Sequence, residues 1–455
     1  MIHERSVEYE YLRDFYNREE NQIIVLYGNR YNGLQEFIRD FLKGMDFFYY
    51  LARPCSEEEQ INQWRGELKE ELPKGTSFGE GFEGLFIAML NQKCEKRIIV
   101  IDEFQNIVRS SPDFIESVLL AAGDKWNNQA VLFILLSENA FWVENQMVGK
   151  LGKSAYDISG LLKLNELKFL EIVRHFKHYE LTDCVEAYAI LGGYKEFWQE
   201  FSDQKTISEN VCDSILKSGT LLYEHGMNIY PEELREPAVY NTILSALSSG
   251  REKLNDIFKY TGFSSAKISV YLKNLISQGI VRKVNSYDTA CRENAQKGIY
   301  RIADPFTEFW FKFVFPHASK LRTLTPERFY QRYIAPELVK YTARYFIEVC
   351  SEYLELMNRM GKLSFRYTKK GSWVGKVGNI DIIAQDEEGQ TLCAMCSYEN
   401  PVMSYEDYEW FMFCVKQARL TVHDYFLFSA GTFDERIIEE AAARENVYLI
   451  DASQL

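Results

Sequence analysis

Three short, almost wholly apolar runs punctuate the first third of the chain: Gln22-Ile23-Ile24-Val25-Leu26-Tyr27, Arg97-Ile98-Ile99-Val100-Ile101 and Ala130-Val131-Leu132-Phe133-Ile134-Leu135-Leu136. They lack the alternation of a half-exposed strand and so read as parallel strands buried on both faces. After the first run the period changes to 3.6, with apolar residues at 34, 37, 38, 41 and 42 along one helical face. Residues 6–20 read as an introductory helix, and 165–235 read as helical. Helical spacing returns over 240–247, 254–259 and 264–275, punctuated by Gly262 and Gly279, and two short strand runs follow at 280–284 and 298–302. Beyond Tyr341, a helix opening at 344–348 precedes strand runs at 363–368, 371–384 and 391–398.

The turn after the first run carries candidate chemistry. Gly28-Asn29-Arg30-Tyr31-Asn32-Gly33 joins a buried strand to a helix, with glycine at both ends. That is the frame of a phosphate-binding loop, whose backbone N–H groups and helix N-terminus favour anions. A lysine after the second glycine would reach the outer phosphates, and a Ser or Thr beside it would hold Mg²⁺. Leu34 and Gln35 occupy those positions. Each missing charge-assisted contact removes about 1.5–3 kcal/mol of binding. Arg30 is the one candidate within the loop for a substitute cation. The second run ends in Asp102-Glu103, where such enzymes place one acid to orient Mg²⁺ and another to polarise the attacking water. The third ends in Ser137-Glu138, where a γ-phosphate sensor would lie; the plainer reading of Ser137 is a turn or cap residue.

Composition bounds the rest. A chain of 455 residues, 46% hydrophobic and 26% charged, is globular and long enough for about three domains. The first residues contain no apolar targeting segment, and no apolar run reaches membrane-spanning length. Nine scattered cysteines fit a reducing compartment, so a cytoplasmic location is expected. Cys393 and Cys396 form a CxxC on a strand, where alternation sends the two thiols to opposite faces. The net charge is −14, yet residues 240–301 hold ten basic and four acidic residues, a local +6 against −20 elsewhere. That asymmetry suits duplex DNA. In a winged helix the third helix enters the major groove. Lys267, Lys273, Arg282 and Lys283 are then candidate phosphate contacts, and Ser264 and Ser265 candidate base or phosphate readers. The bland alternative is a protein-binding winged helix, serving a partner or self-association.

The chain resembles the archaeal-type ATPase family, P-loop proteins of the AAA+/STAND kind that carry a winged helix and a C-terminal restriction-endonuclease-like domain. The residues carrying the likeness include Val100-Ile101-Asp102-Glu103-Phe104-Gln105, Leu191-Gly192-Gly193-Tyr194, Leu221-Leu222-Tyr223-Glu224 and Glu236-Pro237-Ala238-Val239-Tyr240. Its most specific parts are Lys297-Gly298-Ile299-Tyr300-Arg301-Ile302-Ala303-Asp304-Pro305-Phe306 and Phe309-Trp310-Phe311-Lys312-Phe313-Val314. The departures are as informative. The family's loop normally continues Gly-Lys-Thr/Ser, and no arginine stands in Ser154-Ala155-Tyr156-Asp157-Ile158-Ser159, where a candidate finger would lie. The resemblance implies a nuclease-type site at Glu348, Asp381 and an acid-x-Lys element, but Met395-Cys396-Ser397 replaces that element. A thioether is a poor ligand for a hard Mg²⁺, so Glu348, Asp381, Met395 and Ser397 are read as vestigial.

The expected fold class is α/β: a P-loop parallel sheet with a helical extension, a winged helix, and a C-terminal restriction-endonuclease-like α/β domain. The expected boundaries are 1–164, 165–235, 236–325 and 326–455. The expected function is a degenerate ATPase relative that holds ATP weakly and Mg²⁺ poorly, acting as a DNA- or protein-binding scaffold. The alternative is a working ATPase using Asp102 and Glu103.

Overall fold

The structure is a computed structural model describing residues 5–91, 97–123, 130–229, 236–284, 287, 299–375 and 378–455. The chain divides into two compact units, Met1–Glu166 with Tyr194–Glu196, and Leu167–Gly193 with Phe197–Leu455. The second takes in the expected helical extension, winged helix and C-terminal domain together.

In the first unit, β1 (Gln22–Gly28), β2 (Phe47–Leu51), β3 (Arg97–Asp102), β4 (Val131–Ser137) and β5 (Gly160–Leu164) form one sheet. Its order is β2-β3-β4-β1-β5, and all its pairings are parallel. Strand alternation accounts for the uninterrupted apolar runs. Ile23, Val25, Ile99, Ile101, Phe133 and Leu135 face one core; Ile24, Leu26, Ile98, Val100, Leu132, Ile134 and Leu136 face the other. Burying both faces leaves no position at which a polar side chain would meet water. Because β4 lies between β1 and β3, parallel pairing opens the C-terminal ends of all three at one edge. The glycine loop, Asp102-Glu103 and Ser137-Glu138 meet there.

The second unit begins with helices Phe169–His175, Leu181–Leu191, Ile207–Ser214 and Leu221–Met227. The winged helix follows, as Pro237–Ser248, Leu254–Thr261, Ser265–Ser277 and the antiparallel pair β6 (Val281–Val284) and β7 (Ile299–Ile302). Ile257, Ile268, Leu272 and Leu275 form its interior. The stretch joining the wing strands lies outside the described residues except Tyr287.

The C-terminal part opens on a long helix, Ala335–Arg359. It begins nine residues before the expected onset at 344, with Pro336 fitting its first turn. Five strands, β8 (Lys369–Val374), β9 (Asn379–Gln385), β10 (Thr391–Ser397), β12 (Asp424–Ser429) and β14 (Val447–Asp451), form a mixed sheet in the order β14-β12-β10-β9-β8. The pairings among β8, β9 and β10 are antiparallel, and those among β10, β12 and β14 parallel. Short strands β11 (Val402–Met403) and β13 (Thr432–Phe433) pair beside it. The strand expected at 363–368 does not form. Tyr367 exchanges backbone hydrogen bonds with the side chain of Asn358, which ties this segment to the long helix instead of to a ladder. Cys393 packs in the core beneath helix Tyr405–Ala418, while Cys396 hydrogen-bonds Cys350 of the long helix.

Candidate functional site

The loop is locked from several sides. Gly28 lies so close to β5 that a Cβ there would sit 2.9 Å from the Leu164 carbonyl oxygen, and Gly33 adopts φ +77°. Both positions therefore require glycine. Asn32 is buried and donates to the Leu164 carbonyl at 2.9 Å. The buried Arg5 guanidinium donates to the carbonyls of Asn32 and Asn165. The Asn32 N–H donates to the Asn29 carbonyl, so one loop donor is already used within the loop. Asn29 donates to Glu166 at 3.0 Å. Arg30 is exposed, its guanidinium 5.0 Å from the Tyr31 ring centroid.

Leu34 corrects the expectation that it faces a nucleotide. It is 1% exposed and packs in the core with Ile38 and Phe41. Gln35 instead turns to the acids. Its Nε2 donates to Asp102 Oδ2 at 2.8 Å. The Tyr49 hydroxyl, on β2, donates to the same oxygen at 2.5 Å and lies 3.1 Å from Gln35 Oε1. Asp102 Oδ1 accepts the Glu103 N–H at 2.9 Å. Both oxygens of this buried carboxylate thus have protein donors. A hard Mg²⁺ ion takes oxygen ligands, and this fold would seat it between such an acid and a neighbouring hydroxyl. An amide and a phenol meet Asp102 here, so the residues present do not fit the metal.

Glu103 sits at φ +51°, a conformation that costs a non-glycine residue on the order of 1–3 kcal/mol. Hydrogen bonds hold it: Oε1 accepts the Glu138 N–H at 2.8 Å, and Oε2 accepts from Gln105 at 2.5 Å. Burial pushes the Glu103 carboxyl above its ordinary value, and the charge of Asp102 adds to this. Glu138 goes further, pushed up to about 7 by burial, Glu103, Asp102 and Glu196. Ser137 is fully buried, its Oγ accepting the Asn139 N–H at 3.1 Å. The plainer expectation, a turn residue, accounts for this geometry. Sequence reasoning missed Tyr49, Arg5, Glu138 and Lys195. Lys195 lies against Gly33 and pairs with Glu36 at 3.1 Å. Only Glu138, directly after a buried strand, carried a signal.

In the winged helix, Ser264 caps the third helix, accepting the Lys267 N–H. Ser265, Lys267, Lys273 and Lys283 are exposed. Lys267 Nζ lies 5.0 Å from the Phe263 centroid and 5.5 Å from that of Tyr271. Arg282 is otherwise engaged, because its guanidinium pairs with Glu348 of the long helix. Two residues assigned to separate sites thus meet in one ion pair. Asp381 accepts the Cys396 N–H at 2.9 Å, and burial pushes its carboxyl up to about 6. Met395 packs at the edge of the C-terminal core, and Ser397 pairs in register with Ser429 on β12.

Comparison with known proteins adds the following. Residues 310–409 match a family described as archaeal and bacterial proteins of unknown function. Residues 241–283 match the arsR family of bacterial regulatory proteins. An uncharacterised protein of Methanocaldococcus jannaschii is 25% identical over 85% of both chains. Among solved structures, a Walker-type ATPase of Pyrococcus abyssi covers 68% of this chain and 95% of its own at 16% identity and TM-score 0.49. The ORC2 protein of Aeropyrum pernix, in ADPNP–ADP complexes, covers 72% and 94% at 15% identity and TM-score 0.40. No helix among the described residues is long and apolar enough to cross a membrane. The chain thus combines an α/β unit with a five-stranded parallel sheet and a glycine loop with a winged helix and a mixed C-terminal sheet.

Proposed function

We propose that this protein is a retired P-loop ATPase that acts as a DNA-binding scaffold. One observation carries the reading: Asp102, the acid that would orient Mg²⁺, is engaged by Gln35, Tyr49 and the Glu103 N–H, with an amide standing where the metal-holding hydroxyl would be. Replacing a hydroxyl by an amide removes a metal ligand and installs a donor that occupies the remaining one. Asp102, Glu103, Glu138 and Glu196 also act on one another electrostatically. Without a metal, such a cluster repels a triphosphate. Any residual nucleotide contact rests on the loop's backbone N–H groups and is weak. The C-terminal sheet is read as a restriction-endonuclease-like domain without its chemistry, since Asp381 serves a backbone N–H and Glu348 serves Arg282.

DNA contact rests on the winged helix, with Lys267, Lys273 and Lys283 as its phosphate contacts. Phosphate release from Mg·ATP, measured with and without duplex DNA, tests the motor half of the proposal. The expected rate equals that of Glu103→Gln. Turnover that disappears in Glu103→Gln would instead show a working ATPase. A gel shift tests the other half: binding should weaken with salt and be lost in Lys267→Glu with Lys273→Glu.

A further inference from the structure

The third helix of the winged segment, Ser265–Ser277, buries Ile268, Leu272 and Leu275. Its opposite face is exposed and has an unusual chemistry. Ser265 and Ser269 are one turn apart, as are Ala266 and Val270, and Lys273 follows. These spacings put all five on one side. Val270 is 57% exposed, more than any other large apolar side chain described between 237 and 302. A single exposed valine is ordinary in itself. Its company is what matters. Residues 264–273 contain no Arg, Asn, Gln, Asp or Glu. The face therefore lacks the planar side chains that grip guanine or adenine bidentately, and the acids that accept from cytosine.

Apart from Lys273, taken above as a phosphate contact, what remains is methyl groups and hydroxyl acceptors. Ser269 Oγ donates its proton to the Ser265 carbonyl at 2.9 Å. Its lone pairs are left to accept from a base amino group. In the major groove, an A·T pair alone presents an amino donor on one base and a C5-methyl on the other. We infer that this face reads A·T pairs, with Val270 packing on the thymine methyl and Ser269 accepting from adenine N6. The inference rests on the DNA-binding reading above. It commits the face to duplex DNA because the segment 240–301 is +6 in a chain of net −14. A protein-binding face would need no such excess, and Lys267 and Lys273 bracket the methyl-bearing turn.

The discriminating probe is deoxyuridine, which differs from thymidine only by that methyl. Duplexes selected by the protein from a random pool should be enriched in A·T pairs. Remaking them with uracil for thymine should cost about four-fold in affinity per methyl contacted. Val270→Ala, which keeps helix propensity, should bind thymine and uracil duplexes equally and retain the salt dependence of the wild type. Equal wild-type affinity for the two duplexes overturns the inference, and so does discrimination that survives in Val270→Ala. Absence of binding to any duplex would overturn the DNA-binding reading beneath it, a result distinct from binding without discrimination.

Discussion

At the scale of single residues, the proposed loss of the metal seat rests on a few side chains around Asp102. Gln35 and Tyr49 give Asp102 neutral donors where a metal would give charge. The loss of lysine and hydroxyl was legible, because motif spacing fixes those positions. The replacement network was not. Tyr49 lies on β2, and nothing in local periodicity ties it to an acid on β3. Glu138 supplies a pH test. Its carboxyl is raised from an ordinary 4.5 to about 7. Between those values the folded protein keeps a proton that the unfolded chain has lost. Stability is therefore full below about pH 4.5, falls as pH rises to about 7, and stays reduced above. Glu138→Gln should match the wild-type Tm near pH 4.5 and exceed it at about pH 8. A wild-type Tm lower than or equal to that of the variant at both ends by the same margin would contradict this assignment.

At the scale of elements, periodicity located β1, β3, β4 and the winged-helix trio, and it failed where side chains capture backbone. The apolar runs were readable because two buried faces admit no polar residue. Segment 363–368 was misread because Asn358, an element away, takes its hydrogen bonds. The wing was readable as strands, but its partners were not. Tyr287 donates to Gln385 at 2.8 Å and packs in the C-terminal core, and Arg282 pairs with Glu348. Glu348→Gln should release Arg282 towards phosphate. DNA affinity should then rise, and the slope of log affinity against log salt should steepen by about one. An unchanged slope in a gel-shift salt series would show that Arg282 stays committed elsewhere.

At the scale of the molecule, each unit is held by buried contacts that only the fold reveals. Glu308 is 5% exposed and accepts from Arg344 at 2.6 Å and Tyr345 at 2.8 Å. The aromatic segment around it was recognisable in the sequence, but the ion pair at its centre was not, since Arg344 is a helix away. Glu308→Ala leaves the guanidinium only the longer contact to Glu252, at 3.8 Å, and should destabilise the protein by up to about 3–5 kcal/mol in chemical denaturation. A loss below about 1 kcal/mol would place the pair among solvent-screened bridges. The account as a whole turns on whether Asp102 is closed to metal. Isothermal titration of Mg·ATP into the wild type and into Gln35→Thr/Tyr49→Phe tests this most directly. The prediction is little heat from the wild type and affinity raised at least about tenfold in the variant. Micromolar Mg·ATP binding by the wild type, unimproved by the substitutions, would contradict it.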